Sequence, residues 1–220
     1  MLRFRGSLGV PLALVLSVVG CAEEHSPDSK LVPVTAGTVP PGPGVPPPFA
    51  VSDQFKPSGF MGDLIPAGTL EIDGGRCPLP RPEGAQGECY TFTIHPLPGL
   101  PGAQGWGGVL WQYPEGNWGA EPGLLISPGA TEVSFYAGGE MGGETVTFKV
   151  GGTYDPALPN ADTLDLPYAV TLSDGPLQHH RISLVDVAYS DVIAGFGWVM
   201  DIPLDDATPI TFHVDDLRWR

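Results

Sequence analysis

Three of the chain's five tryptophans fall within thirteen residues, in the run Trp106-Gly107-Gly108-Val109-Leu110-Trp111-Gln112-Tyr113-Pro114-Glu115-Gly116-Asn117-Trp118. A sugar ring has an apolar C–H face and a polar rim of hydroxyls. Flat aromatics beside amide and carboxylate groups match that chemistry. Trp111, Gln112, Tyr113, Asn117 and Trp118 supply the set and are the candidate ligand-binding residues. The competing use of Trp106, Trp111 and Trp118 is to plug the core or rim of a β-structure, where large aromatics normally go. Trp198 and Trp219 lie in strand-like segments and are expected in the core.

A second chemistry-bearing group lies at Ile210-Thr211-Phe212-His213-Val214-Asp215-Asp216. On a period-two strand Phe212, Val214 and Asp216 share one face, and Thr211, His213 and Asp215 share the other. A carboxylate that continues a core face is costly unless it is paired or holds a cation. Signatures of catalysis are missing: there is no G-x-S-x-G elbow, no H-E-x-x-H, no P-loop and no dinucleotide fingerprint. His179 and His180 are adjacent, so on a strand they point to opposite faces and chelate poorly. Ser58, in Pro57-Ser58-Gly59, reads as a turn residue. No enzymatic activity is expected.

The elements that must position these groups are strands. Glycine (31) and proline (26) make up about a quarter of the 220 residues. At about 1 and 3 kcal/mol per interior position they exclude long helices. Short runs of alternating β-branched, aromatic and polar residues recur: Tyr90–Ile94, Gly108–Trp111, Glu132–Tyr136, Thr145–Val150, Tyr168–Leu172, His180–Leu184, Gly195–Met200 and Ile210–Val214. That texture predicts eight to ten strands in an all-β sandwich or jelly roll. Val185 to Ile193 has only a weak helical pattern and is expected to be a turn.

The N-terminal fifth is different. Arg3 and Arg5 precede an apolar run from Leu8 to Val19, shorter than the roughly 20 residues that span a bilayer. The run ends Val18-Val19-Gly20-Cys21, which resembles a bacterial lipobox. The resemblance implies that residues 1–20 are a lipoprotein signal peptide and that Cys21 carries diacylglyceryl and a further acyl chain such as palmitate. Ala22 then favours the outer membrane. Residues 21–49 hold eight prolines and form the lipidated cysteine and a proline-rich tether, and residues 50–220 form the β-domain. Without residues 1–20 the side chains carry 8 − 25 = −17 charges, so a lipid anchor, rather than charge, is expected to hold the protein at the cell envelope. The acidity also excludes nucleic acid as a partner. With Cys21 assigned to lipid, Cys77 and Cys89 are left to pair as a disulfide around a proline- and glycine-rich loop.

The order of motifs in the second half resembles the galactose-binding-domain-like jelly roll, and within it the carbohydrate-binding modules. The residues that carry the resemblance are Pro128-Gly129-Ala130, Val133–Tyr136, Gly142-Gly143-Glu144, Val146–Gly152, Ile182-Ser183-Leu184, Asp191–Trp198 and the closing Phe212-His213-Val214-Asp215-Asp216-Leu217. The resemblance implies a non-catalytic module that binds a polysaccharide or envelope glycan. A structural or protein-interaction lipoprotein on the same sandwich is the alternative. It further implies a structural Ca²⁺ joining the last strand to the entry loop, held by Asp53 and Asp216 with Asp63 or Asp215 completing the set. The alternative for these four aspartates is ordinary turn and backbone hydrogen bonding.

Overall fold

The computed structural model describes residues 44–75 and 80–220. Residues 1–20, Cys21, most of the tether and Cys77 lie outside the described residues. The elements in chain order are β1 (Phe49–Ala50), α1 (Val51–Gln54), β2 (Lys56–Gly62), β3 (Leu70–Gly74), β4 (Tyr90–Ile94), β5 (Trp106–Gln112), β6 (Leu124–Leu125), β7 (Glu132–Gly139), β8 (Thr145–Gly151), β9 (Asp165–Thr171), β10 (Gln178–Ser183), β11 (Asp191–Val192), β12 (Ala194–Asp201) and β13 (Ile210–Trp219). The eight runs read as strands from the sequence all lie in these elements, apart from residues at their ends, and the fold is the all-β jelly-roll sandwich that they predict.

Two antiparallel sheets form the layers. The first has the order β10-β7-β13-β4-β3, with β1 adding to β13; the second has the order β2-β5-β12-β8-β9. A short β6–β11 pair lies apart from both. Alternation explains how each strand serves a core. In β4, Tyr90, Phe92 and Ile94 are buried while Thr91 and Thr93 are half-buried; in β8, Val146, Phe148 and Val150 are buried between more exposed neighbours.

Aromatic rings from both sheets meet in the centre. Phe92 lies 5.5 Å from Trp111, 5.2 Å from Trp198 and 5.2 Å from Phe212 between ring centroids. Phe135 lies 4.6 Å from Phe148 across the layers. Trp219 stacks on Phe49 at 6.1 Å, and its Nε1 donates to the Gly195 carbonyl at 2.9 Å. Each such ring contributes about 1.5–3 kcal/mol by burial, so this aromatic cluster is the main cohesive term of the sandwich.

Two local features differ from the sequence expectation. The segment Pro57-Ser58-Gly59 is part of strand β2, not a turn. Proline is tolerated because β2 is an edge strand, and the pairing with β5 shifts register between Pro57 and Gly59. The final strand also breaks phase. Against β7, β13 carries one extra residue between Asp215 and Arg218, and Asp216 adopts φ 48°. This bulge moves the inward positions from Phe212 and Val214 to Leu217 and Trp219, all four in the core cluster. Asp216 therefore does not extend the Phe212–Val214 face, as strict alternation required.

Candidate functional site

The outer face of the second sheet holds two adjoining depressions, and a third adjoins them at the end of the sandwich. The first, about 570 Å³, is lined by Ser58, Phe60, Met61, Gly62, Ile65, Trp106 and Trp118. The second, about 310 Å³, shares Trp106 and adds Thr145, Thr147, Val199, Met200 and Asp201. The third, about 360 Å³, shares Thr145, Met200 and Asp201 and continues past Met141 and Thr208 to Ile210 at the start of β13, so it lies at the end where the two sheets meet. The first two make a shallow track across β2, β5, β12 and β8. Strands are spaced by roughly 4.8 Å, so those three gaps alone span about 14 Å.

Trp106 is the shared wall of the first two depressions, and its placement follows from parity. Val109 and Trp111 of β5 face the core, so Trp106, Gly108 and Leu110 face outward. The turn that delivers Trp106 is braced by Asp63, whose carboxylate accepts the backbone N–H groups of Gln104 and Gly105 at 2.9 and 2.7 Å. The indole Nε1 donates to Gln104 Oε1 at 3.2 Å. Glycines keep the floor low. A Cβ on Gly108 would sit 2.5 Å from the Trp198 carbonyl oxygen, 2.6 Å from Val199 Cγ1 and 2.9 Å from Met61 Cε. Gly62 has φ 61°, and a Cβ there would lie 2.3 Å from the Trp106 carbonyl oxygen.

Trp118 and Phe60 also border the first depression and are 39% and 40% exposed; Phe60 pairs with Val109 and reaches that depression from the open edge of β2, not from the outward row of Trp106. Trp118 sits in a loop organised by Asn117. The Asn117 side chain donates to the carbonyls of Tyr113 (3.1 Å) and Glu121 (2.8 Å), and accepts from the N–H groups of Gly119 (2.9 Å) and Glu121 (3.2 Å). Ser58 ties the same loop to β2: its hydroxyl donates to Gln112 Oε1 at 3.1 Å and accepts the Gly116 N–H at 2.9 Å.

The five candidate ligand-binding residues thus separate. Trp111 is 0% exposed in the core, edge-on to Tyr90, Phe92 and Phe196. Gln112 and Asn117 are buried, and Asn117 has its amide occupied by backbone. These three have no surface to offer a ligand: Trp111 by strand parity, Gln112 because β2 covers it with the Ser58 hydroxyl on its Oε1 and Gly59 packed over its amide, and Asn117 because an irregular loop needs its backbone groups satisfied. Trp118 lines the track. Tyr113 is 37% exposed, packs edge-on to Phe55 and is not among the residues lining the track. Phe60 and Trp106 are the surface residues that sequence reading missed. The parity of Trp106 against Trp111 was the available signal for one; the Pro-Ser-Gly turn pattern hid the other.

The four aspartates grouped for Ca²⁺ do not fit that ion. Among the described residues there is no group of three or more His, Cys, Asp or Glu side chains placed to hold a metal. Asp215 is fully buried and takes a fork from Arg81, whose Nη2 and Nε lie at 2.6 and 2.9 Å from its oxygens. Asp216 pairs with Arg218 and with Arg220 (3.5 Å), and accepts the Gln86 N–H at 2.7 Å. Asp63 serves the turn before β5, and Asp53 is exposed on α1. The cost of burying the acidic pair is met by guanidinium groups instead of a cation. Hydrogen bonds to Asp215 hold Arg81 above its already high ordinary pKa, which keeps that fork charged.

No protein-family model matches the chain, and no curated protein matches it. Among solved structures it is similar to a family 30 carbohydrate-binding module, at 15% identity and TM-score 0.45, covering 79% of this chain and 83% of that one. It is also similar to a family 11 module from Clostridium thermocellum in complex with a β-1,3-1,4-mixed-linked tetrasaccharide, at 13% identity and TM-score 0.39, covering 74% and 95%. A variant of a family 29 module complexed with cellulohexaose shares 15% identity at TM-score 0.35, covering 79% and 89%.

Proposed function

We propose that the protein is a glycan-binding, non-catalytic module whose ligand lies across β2, β5, β12 and β8. The observation that carries the reading is the continuous shallow track with Trp106 at its shared wall, Phe60 and Trp118 beside it, and Thr145, Thr147 and Asp201 along its polar stretch. Aromatic faces take the C–H faces of successive sugar rings, and hydroxyl and carboxylate groups take the rim hydroxyls. An open track suits an extended polymer, since both ends of the chain can leave the site.

The lipobox-like Val18–Cys21 and the prolines of 22–49 support a lipid-anchored body held away from an envelope membrane by an extended tether. In that setting Cys77 and Cys89 form a disulfide, detectable as a linked peptide pair in non-reduced mass spectrometry. Retention of cellohexaose, mixed-linked glucan and envelope polysaccharides on the immobilised full chain tests the main reading. Trp106→Ala is expected to weaken retention by roughly 30-fold, the scale of a buried aromatic anchor. Failure of the unsubstituted protein to retain any glycan of the panel removes the reading.

A further inference from the structure

The outer face of the first sheet carries a different set of groups, which the glycan track does not use. Val133 and Phe135 of β7 face the core, so Ser134 and Tyr136 face outward. The register of β10, β7 and β13 sets them in rows. His179 lies opposite Tyr136, and Arg181 lies opposite Ser134, which is itself opposite Arg218. One step along, Glu132 exchanges backbone hydrogen bonds with Arg220.

The guanidinium groups in these rows keep spare donors. Arg181 is exposed, and its ionic neighbour among the described residues is Glu132 at 3.8 Å, beyond hydrogen-bond length. Arg220 stands 3.5 Å from Asp216, a carboxylate that Arg218 already occupies. Between Arg181 and Arg218 the Ser134 hydroxyl is buried and has no hydrogen-bond partner among the described residues. Beside the arginines the Tyr136 and His179 rings form a tilted pair, 4.8 Å apart at 37°. Burial first, and then the charge of Arg181, hold the His179 imidazole below its ordinary pKa. That shift favours the uncharged ring.

We propose that this face is a second binding site, for a glycan bearing uronate carboxylates. The carboxylate sits on the Arg181 and Arg220 guanidinium groups, and the sugar ring lies on Tyr136 and His179. Guanidinium forks match a carboxylate in two parallel hydrogen bonds. The aromatic pair gives the C–H face of the sugar a platform, which a bare phosphate would not use. The chain's net charge of −15 repels an anionic polymer at long range, so binding here depends on these local contacts. The site lies on the opposite side of the sandwich from the track and does not rest on that reading.

Isothermal titration of the full chain with a galacturonic acid tetramer, the neutral galactose tetramer and tripolyphosphate tests it. The uronate tetramer is expected to bind at least about tenfold more tightly than its neutral counterpart, whether or not glucans are retained on the other face. Arg181→Gln with Arg220→Gln is expected to weaken it by about tenfold or more with the melting temperature unchanged, and Tyr136→Ala to weaken it as well. The proposal is overturned if the protein takes up no uronate, or if the double variant binds it as before. It is equally overturned if tripolyphosphate competes on equal terms while Tyr136→Ala has no effect, because the surface would then read charge alone.

Discussion

The two outer faces of the sandwich share one core and treat their outward positions in opposite ways. On the second sheet the outward positions of β5 hold Trp106, Gly108 and Leu110, Phe60 reaches in from the edge of β2, and the missing side chain at Gly108 leaves a low, apolar floor. On the first sheet they hold Asp215, Arg218, Glu132, Arg181 and His213 in paired or hydrogen-bonded arrangements. His213 bridges Thr91 Oγ1 at 3.0 Å and Glu140 Oε2 at 3.1 Å, joining two strands and a loop. Strand alternation dictates only that these positions point away from the core. What they do there depends on neighbours brought in by register and by loops.

The largest effect expected is at β5, where inward and outward residues alternate. Trp111→Ala should cost about 3–5 kcal/mol in urea unfolding, because it opens the centre of the aromatic cluster. Trp106→Ala should cost well under half as much and act on binding instead. Equal losses from both would break the distinction between core and track.

Next in size is the ion pair under the loop at residues 80–88. Arg81→Ala leaves the fully buried Asp215 carboxylate without its fork, at a cost of about 3 kcal/mol, the lower end of the range for a buried pair since Arg81 is itself partly exposed. Arg181→Ala on the same sheet should change stability by no more than about 0.5 kcal/mol. If the two substitutions matched, the charged face would be uniform, without its division into a structural pin and a free surface.

A smaller effect concerns pH. Burial, and then the neighbouring His179, hold His180 below its ordinary pKa. The unfolded chain therefore binds more protons near its histidine pKa of about 6.5, and the stability present above that pH falls as pH drops below it. His180→Phe keeps a ring against Phe135, 5.4 Å away in the native pair, and should flatten the slope between pH 7 and 5 by at most about 1.4 kcal/mol per pH unit. An unchanged slope would mean that the ring titrates as freely in the folded state as in the unfolded one.

No effect is expected from metal. Thermal melts in Ca²⁺ and in chelator should superimpose, since arginines and backbone N–H groups occupy the acidic pair of β13 and the Asp63 carboxylate. A rise in melting temperature with Ca²⁺ would show that the first sheet's carboxylates accept a cation in place of a guanidinium.

Much of this was legible beforehand. The eight strand runs and the burial of Trp198 and Trp219 follow from alternation and from the size of the rings. The candidate site was legible only in part. The tryptophan-rich segment reaches the surface depression through Trp106 and Trp118, but Trp111 faces the core and Trp106 the solvent, five residues apart on a strand that is apolar on both faces. Ser58 and Phe60 were hidden because an edge strand tolerates the Pro-Gly pattern of a turn. Asn117 has the side chain of a sugar-binding residue and is consumed by its own loop.

Composition and local pattern alone determined that this chain builds two β layers around aromatic rings, because excess glycine and proline forbid long helices and period-two alternation needs no distant partner to be read. Tertiary structure decided which tryptophan is presented, where the closing strand changes phase and which charge neutralises the acidic pair. Each of those depends on a contact between residues far apart in the chain: Asp215 meets Arg81 across 134 positions. The bulge at Asp216 likewise exists only against β7, so no reading of the strand by itself contains it.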